Sequence, residues 1–270
     1  MKKLIGLTLL TMLPLAFAAF TFVVGCDSKK APSSPGGGGP TNTPMATSTK
    51  TATPMATATP QANPAMVNLG SAANYVALAY SSITNSGTST LCGSLGLFPG
   101  SSVSGGIVVN CGGVRDVADT AANTAKLDLS TAYTDAMGRP TGATLAPGAD
   151  IGGLTLYQGV YLESGVLNIA SKDLTLDALG NPNAVFIFQV KTGGNLVVGP
   201  GRKVILQGGA QAKNVFWAVS GYCSLNTTVS MVGNIMAYTS VTLNTGATLL
   251  GRALASNGDV TLLTNTITRP

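Results

Sequence analysis

Residues 233–250 read GNIMAYTSVTLNTGATLL, and residues 251–268 follow directly with GRALASNGDVTLLTNTIT, a second stretch of the same design. Each stretch begins with Gly, places apolar residues at alternate positions and carries a Thr-Gly or Asn-Gly pair where the chain can turn. Repetition at a fixed period, combined with strand-like alternation, is typical of a β-solenoid in which each repeat forms one coil. The sequence therefore predicts stacked coils, and we expect the function on a flat, repeated face.

Each coil is predicted to hold three short strands, so that the stack forms a three-sided prism. Strand A reads VFWAV, NIMA and RALA in successive coils, strand B reads YCSLNT, SVTLNT and DVTLLT, and strand C reads TTVSMV, GATLL and NTIT. Because side chains alternate across a strand, every second side chain of strands B and C is expected to point inward and fill an apolar lumen. The predicted lumen positions are Cys223, Leu225, Val241, Leu243, Val260 and Leu262 in strand B, and Val229, Met231, Ala247, Leu249 and Ile267 in strand C. We call the three walls face A, face B and face C, after their strands.

A change from strand-like to helical spacing occurs over about residues 115–137, which predicts a helix that ends at Gly138, before Pro140. Its apolar stripe needs a surface to bury against. The stripe comprises Ala118, Ala122, Ala125, Leu129, Ala132 and Ala136. Strand A offers such a surface, because its outward positions are predicted to be apolar as well. These positions are Phe186, Phe188, Phe216, Ala218, Met236 and Leu254. We therefore expect the helix to cover face A and to leave faces B and C open to solvent.

The composition argues against catalysis. Of 270 residues, 9% are charged and 45% are hydrophobic, there is no His, and Glu163 is the only Glu. Side chains for general acid or base chemistry near neutral pH are therefore scarce, and the sequence contains no phosphate-binding loop and no zinc-ligand spacing. We expect no enzymatic activity, no cofactor and no metal. The formal net charge of +5 is concentrated in the N-terminal region and gives no indication of nucleic acid binding.

The N-terminal region has the organisation of an export and anchoring segment. Lys2 and Lys3 precede an apolar run that ends in Val23-Val24-Gly25-Cys26, which resembles a bacterial lipobox. Residues 1–25 are accordingly predicted to be a lipoprotein signal peptide, and Cys26 the lipid-modified first residue of the mature protein; an uncleaved membrane anchor is the alternative. Residues 26–66, rich in Pro, Thr and Gly, are predicted to form a linker, and residues 67–270 the folded domain. We expect an exported protein, lipid-anchored to the bacterial cell envelope or cell surface.

Three further cysteines fall within the predicted domain. Cys92 and Cys111 flank a Gly-rich loop of an exported chain, which favours a disulfide that closes the loop. Cys223 occupies a lumen position with no His or second Cys in its coil, so we interpret it as a small buried apolar residue.

Several segments of the chain resemble the microbial ice-binding proteins of the DUF3494 type, in the same order and with the expected spacing. They are LGSAANYVALA (69–79), GSLGLFPGSSVSG (93–105), DLSTAYTDAMGRP (128–140), GGLTLYQGVY (152–161), NAVFIFQV (183–190), AKNVFWAV (212–219) and residues 240–270. The resemblance implies a discontinuous, right-handed β-solenoid of triangular cross-section, with one long helix along one face and an N-terminal segment that completes the stack. It also implies a protein that binds ice without catalysis, through a flat face of regularly spaced Thr, Ser and small apolar side chains.

On this basis face C is the predicted ice-binding surface. Its predicted contact residues are Thr90, Thr175, Ser230, Val232, Thr248, Leu250, Thr266 and Thr268. Lys203, Ile205 and Gln207 occupy the equivalent place in an earlier coil and are expected to roughen the face. Face B is the second candidate, with Ser224, Asn226, Thr239, Thr242, Asn244 and Thr261.

The expected partners are an ice crystal surface and, through Cys26, a membrane, with no nucleic acid and a monomeric state. The alternative function is that of a cell-surface adhesin or matrix protein, which would grip a polymer or a protein through the same face.

Overall fold

The computed structural model describes residues 59–270. The predicted signal peptide, the lipidation site at Cys26 and most of the predicted linker lie outside the described residues. In the part of the chain that is described, no helix is long and apolar enough to cross a membrane.

The folded domain begins earlier than Val67. Gln61 Oε1 accepts a hydrogen bond from the backbone N–H of Val160 at 3.1 Å, and Asn63 Oδ1 accepts one from Val185 at 2.8 Å. These amide side chains satisfy backbone groups next to the strands of face A, so the segment that contains them is part of the domain. The boundary between linker and domain therefore lies at or before Gln61.

The domain consists of short strands, one α-helix and two 3-10 helices, Gly70–Asn74 and Ala212–Asn214. The helix α1 spans Thr120–Gly138. The strands, in chain order, are β1 (Tyr75–Ala79), β2 (Ser82–Cys92), β3 (Ser94–Leu97), β4 (Ser102–Asn110), β5 (Arg115–Val117), β6 (Ala143–Thr144), β7 (Thr155–Tyr157), β8 (Gly159–Glu163), β9 (Leu167–Ile169), β10 (Leu174–Asp177), β11 (Phe186–Val190), β12 (Leu196–Val198), β13 (Val204–Gln207), β14 (Val215–Val219), β15 (Cys223–Leu225), β16 (Ser230–Ala237), β17 (Val241–Leu243), β18 (Thr248–Ala255), β19 (Val260–Leu263) and β20 (Thr266–Thr268).

Parallel pairing stacks these strands into the three predicted walls of a β-solenoid. Face A runs in the order β6, β8, β11, β14, the second half of β16, the second half of β18, β1, β3 and β5. Face B runs in the order β9, β12, β15, β17, β19 and the first halves of β2 and β4. The N-terminal strands thus add to the coil formed by the C-terminal strands, so the order of coils in space differs from their order in the chain.

Face C is made of two sheets. Its first part is a three-stranded sheet of β7, β10 and β13. Its second part comprises the first halves of β16 and β18, then β20 and the second halves of β2 and β4. An isolated bridge between Lys203 and Ser230 links the two parts. The break limits which residues can share one continuous surface.

The lumen matches the predicted inward positions of strands B and C. All eleven predicted residues, from Cys223 to Ile267, are buried and belong to one apolar cluster. Trp217 lies in the lumen too, where its ring stacks on Phe188 with a centroid distance of 4.1 Å and its Nε1 donates to the Val232 carbonyl at 2.9 Å. A hydrogen-bonded aromatic stack of this kind stabilises the middle coils.

The prediction that Phe186 and Phe188 of β11 face outward was wrong. Phe186 and Phe188 point into the lumen, and Ile187 packs with Phe216 under the helix instead. The reason is register: Phe188 pairs with Trp217 on one side and with Tyr161 on the other, and the three rings stack in the lumen. The other predicted outward residues of face A, Phe216, Ala218, Met236 and Leu254, are buried against α1 as expected.

The helix covers face A, but it starts later than predicted. Residues 115–117 form β5, which pairs with β3, and α1 begins after Asp119, whose Oδ1 accepts the backbone N–H of Ala122 at 2.8 Å. Ala118 precedes this N-cap with φ 54° and is exposed, so it is not part of the buried stripe. The remaining stripe is buried as predicted and consists of Ala122, Ala125, Leu129, Ala132 and Ala136. The helix ends at Gly138, as the sequence indicates.

Glycines allow β16 and β18 to continue from face C to face A without interruption. Gly233, at the corner, has φ 101°, and Gly251 pairs with it in the next coil. A Cβ atom on Gly251 would lie 1.9 Å from the Gly233 carbonyl oxygen, so only Gly fits. This explains why each repeat begins with Gly. Near the end of the stack, a disulfide joins Cys92 to Cys111, and Cys223 is free and buried.

Candidate functional site

One column of hydroxyl groups runs along face C at right angles to the strands. Ser230 pairs with Thr248, Thr248 with Thr266, and Thr266 with Thr90. Neighbouring strands lie about 4.8 Å apart, so these side chains repeat at that spacing. The column continues into Val108 of β4, which interrupts the hydroxyls. Thr248 and Thr266 are exposed, whereas Ser230 and Thr90 are half-buried.

A second outward column lies two residues further along the same strands, at a distance of about 6.6 Å. It contains Val232, Leu250, Thr268, Cys92 and Asn110 in register. A shallow trough of about 290 Å³ runs between the two columns. Leu250 is 41% exposed and presents a large apolar side chain to the trough. The two columns together form a two-dimensional array of hydroxyl, methyl and isobutyl groups.

Two predicted contact residues lie outside the hydroxyl column. Val232 is only 8% exposed and packs with the lumen cluster beside the break in face C, so it offers little surface. Thr175 lies in the separate three-stranded sheet, in register with Thr155 and Ile205. Because the bridge to the larger sheet sets Lys203 opposite Ser230, the register places Thr175 two residues further on, in line with Val232 and the second column. Thr175 therefore lies outside the hydroxyl column, and its part in ice contact stays a prediction.

Large side chains project from the first part of face C, at Lys203 just before β13 and at Ile205 and Gln207 within it. Lys203, Ile205 and Gln207 are all exposed. Lys203 borders the hydroxyl column, since its backbone bridges to Ser230. The contact array on face C is therefore bounded by Lys203 at one end and by Val108 at the other.

Face B carries a hydroxyl column of its own. Ser224 pairs with Thr242, Thr242 with Thr261, Thr261 with Thr84, and Thr84 with Ser104. All except Ser104 are half-buried. Strands β15 and β17 are three residues long, so each offers a single outward side chain, at Ser224 or Thr242. Face B therefore presents one narrow row within the strands.

The other predicted residues of face B serve the backbone. Asn226 Nδ2 donates to the Val198 carbonyl at 2.9 Å, and Asn244 Nδ2 donates to the Leu225 carbonyl at 3.1 Å. These amides tie each coil to the one before it, so their donors are already used. Thr239 lies in the turn before β17 and not on the strand. Of the predicted set, Ser224, Thr242 and Thr261 remain on the strands of the wall, and the Thr261 hydroxyl accepts a hydrogen bond from the Thr84 hydroxyl at 3.5 Å.

The polar groups inside the domain support the fold. The buried Glu163 accepts backbone N–H groups of Gly148 at 2.9 Å and Gly165 at 2.8 Å. Asp150 accepts the backbone N–H groups of Gly152, Ala170 and Ser171; burial opposes ionisation, but these bonds lower the pKa of its carboxyl overall. Burial raises the pKa of the Cys223 thiol, which disfavours its reactive form. Within residues 59–270 no group of three or more Cys, Asp or Glu side chains is placed to hold a metal ion.

Sequence reasoning missed two residues of the hydroxyl rows, Thr84 and Ser104. Both lie on the N-terminal strands that join the C-terminal coils on face B. The signal was present, because SITN (82–85) can be aligned with DVTL (259–262), which places Thr84 opposite Thr261. Such an alignment depends on knowing that the N-terminal strands follow β19 in the stack.

Stacked parallel coils, a helix along one wall and regular hydroxyl columns on the other two define a β-solenoid protein that presents extended repetitive surfaces. Residues 77–268 match the family model described as Ice-binding-like, and the chain belongs to this family.

Named relatives agree with this assignment. An ice-binding protein of Nostoc sp. (strain HG1) is 40% identical over 205 residues, which cover 74% of this chain and 72% of the relative. An ice-binding protein of Colwellia sp. is 37% identical over 223 residues, which cover 77% of this chain and 85% of the relative. A crystal structure of an ice-binding protein from an Antarctic biological consortium superposes with a TM-score of 0.74 at 44% identity, covering 80% of this chain and 96% of the other.

Proposed function

We propose that this protein adsorbs to ice through face C and thereby inhibits ice growth or recrystallisation, or attaches a cell to ice. The observation that carries this proposal is the in-register column of Ser230, Thr248, Thr266 and Thr90, together with the second column two residues away. Family membership and the named ice-binding relatives support ice as the ligand. The function is binding and not catalysis.

The array suits ice because its spacing is fixed by the backbone. Parallel ladders hold the side chains within each column about 4.8 Å apart, and the strand pleat holds the two columns about 6.6 Å apart. Hydroxyl and methyl groups at fixed distances can order water without the strong, disordering hydration of charged groups. Each contact is weak, so affinity depends on many contacts that are preorganised before binding. A solenoid with a continuous aliphatic and aromatic lumen supplies that rigidity.

Three features favour face C over face B. Thr248 and Thr266 are exposed, whereas Thr242 and Thr261 are half-buried. Strands β16, β18 and β20 of face C have outward positions in two columns, whereas β15 and β17 of face B offer one outward side chain each. The contact array on face C contains no ionisable side chain, whereas Asp259 accepts a hydrogen bond from Ser82 at 2.9 Å immediately before the face B column.

The N-terminal segment supports export and anchoring. Lys2, Lys3, the apolar run and the sequence Val23-Val24-Gly25-Cys26 suit a lipoprotein signal, and the Pro- and Thr-rich linker suits a spacer. We propose that the mature protein is lipid-anchored through Cys26 in the bacterial cell envelope, where it acts as a monomer. Labelling with an alkyne-bearing fatty acid should mark the wild-type protein and leave a Cys26→Ala variant unmarked; equal labelling of both would contradict this anchor.

The function is tested by growing an ice crystal slowly in a solution of the purified protein and an inert protein of similar size. We expect this protein to enrich in the ice fraction, to shape single ice crystals and to suppress recrystallisation, while the inert protein stays in the liquid. Exclusion from the ice, with unshaped crystals, would overturn the proposal.

A further inference from the structure

A second surface feature lies away from faces B and C. It is a groove of about 370 Å³ between α1 and the corner where face A turns into face B. Exposed aromatic side chains are scarce in this chain, yet Tyr80 and Tyr238 both line this groove at 40% and 49% exposure. Within residues 59–270 these are two of the three exposed aromatic side chains, the third being Tyr222.

The solenoid wall of the groove is a regular row. The residues that directly follow the strands of face A are Tyr238, Ser256, Tyr80 and Phe98, in successive coils. Tyr238 and Tyr80 are two coils apart, which corresponds to about 9.6 Å along the stack. Ser256 lies between them, and its Oγ is buried with no hydrogen-bond partner among residues 59–270. The row thus alternates apolar rings with an unused hydroxyl.

The helix supplies the opposite wall. Tyr133 packs against Tyr238 with a centroid distance of 6.1 Å, and burial raises the pKa of Tyr133 to about 12, so its ring remains neutral. Leu127, Ser130 and Thr134 are exposed along the rim, with hydroxyl groups on two of the three. Aromatic faces and small polar groups therefore meet in the same groove.

The groove has one charged side chain, and its charge is directed inward. Lys126 Nζ donates to the carbonyls of Ala255 and Ser256 and lies 5.5 Å from the ring centre of Tyr80. No Asp, Glu or Arg is among the residues that line the groove. Such a lining does not select a strongly charged ligand.

We propose that this groove binds a neutral, extended polysaccharide, with pyranose rings stacked on Tyr80 and Tyr238 and sugar hydroxyls bonded to the exposed hydroxyls of Ser130 and Thr134 on the rim. A pyranose has an apolar face that packs on aromatic rings and an equatorial rim of hydroxyls that needs hydrogen-bond partners. An extended β-1,4-linked glycan carries alternate rings at about the separation of Tyr80 and Tyr238, whereas a coiled α-linked glycan does not. The site is separate from the ice-contact array, so the two functions stand or fall independently.

Isothermal titration of the purified protein with cellohexaose, chitohexaose and maltohexaose tests this proposal. We expect at least one of the two β-1,4-linked hexaoses to bind more tightly than maltohexaose. Tyr238→Ala and Tyr80→Ala should each weaken that binding by about tenfold, because each removes one stacking platform. Tyr222→Ala is the matched control, since Tyr222 is 45% exposed and does not line the groove. Circular dichroism checks that all three variants fold.

The outcomes are distinct. The proposal is supported if glycan binding weakens in Tyr238→Ala and Tyr80→Ala but not in Tyr222→Ala. Ice shaping should be unchanged in all three variants. Absence of binding to both β-1,4-linked hexaoses, equal losses in the Tyr222→Ala control, or a preference for maltohexaose overturns it. If the wild-type protein bound the glycan but did not shape ice, the result would count against face C as the ice-binding surface and would leave the proposed glycan site intact.

Discussion

Faces B and C are built by the same repeat from the same residue types, yet they present different surfaces. On face C, β16 and β18 run for eight residues around the corner and expose two columns of side chains. On face B, β15 and β17 are three residues long, and Asn226 and Asn244 use their amides to bind neighbouring coils. Composition alone therefore does not define a binding surface; what matters is which side chains remain free after the coils are joined.

The largest expected effect is that of Thr248→Tyr. A phenol ring in the middle of the exposed hydroxyl column would hold the wall away from a flat lattice and remove many weak contacts at once. We expect thermal hysteresis and ice-plane labelling to be abolished, while the circular dichroism melt stays within a few degrees of wild type, because the side chain points into solvent.

Thr242→Tyr is the matched variant on face B, where Thr242 lies between Ser224 and Thr261 in the corresponding column. Activity close to wild type in this variant, beside the loss in Thr248→Tyr, would establish face C as the contact surface. The reverse pattern would assign ice binding to face B, and a loss in both variants would require a surface that wraps the shared corner.

A smaller effect is expected when the disulfide is removed by replacing Cys92 and Cys111 with Ala. The cross-link closes a loop with a sequence separation of 19, and its loss should lower the free energy of unfolding by about 3 kcal/mol. Cys92 lies in the second column of face C, two residues from Thr90, so ice activity should fall partially as that end of the array loosens. Urea unfolding and thermal hysteresis measure the two effects.

Face B serves as the internal reference for this variant. If hydrogen exchange rose equally at Thr84 on face B and at Thr90 on face C, the cross-link would support the whole terminal coil and not face C in particular. Unchanged urea unfolding would contradict a stabilising role.

Much of the fold could be predicted from the sequence, because a period of 18 residues repeated without a gap specifies both the strands and their inward side. Where the repeat is absent, prediction failed. Phe186 and Phe188 were assigned to the wrong side, since only the stack with Tyr161 and Trp217 sets the register there. Arg115–Val117 is too short a strand to show alternation, so it was merged with the helix.

The hydroxyl column on face C was predictable within the repeats and not beyond them. Thr248 and Thr266 follow from the alignment of two adjacent coils, and Thr90 from the similarity of STLCGSLG to ATLLGRAL. Thr175 was expected in the same column, but it lies in a separate three-stranded sheet whose register against β16 cannot be read from a local pattern. The role of Asn226 and Asn244 likewise depends on carbonyls in the preceding coil.

Lys203→Thr should raise activity slightly. The substitution places a hydroxyl opposite Ser230 and removes the charge that bounds the column, so the array gains one coil. The gain should be well below the loss in Thr248→Tyr, because the bridge at Lys203 is isolated and β13 belongs to another sheet. Lys213→Thr, which removes an exposed charge elsewhere, is the control, and a rise in both variants would point to net charge as the cause. If ice activity fell in Lys203→Thr but not in Lys213→Thr, Lys203 would itself contribute to ice binding.

The smallest expected effect on ice activity concerns pH and Lys126, which lies on the helix that covers face A. Burial lowers the pKa of Lys126 from 10.5 to about 7, so the folded protein binds fewer protons than the unfolded chain between these values. The free energy of unfolding should therefore rise as pH increases from about 7 towards 10 and be lowest below 7, where both states carry the charge.

The contact array on face C has no ionisable group, so ice activity per folded molecule should stay constant over the same range. Urea unfolding at about pH 6 and about pH 9 measures the rise, and Lys126→Met should remove it. A slope that persists in Lys126→Met would assign the pH dependence to another group, and ice activity that follows pH would place an ionisable side chain in the contact and count against face C.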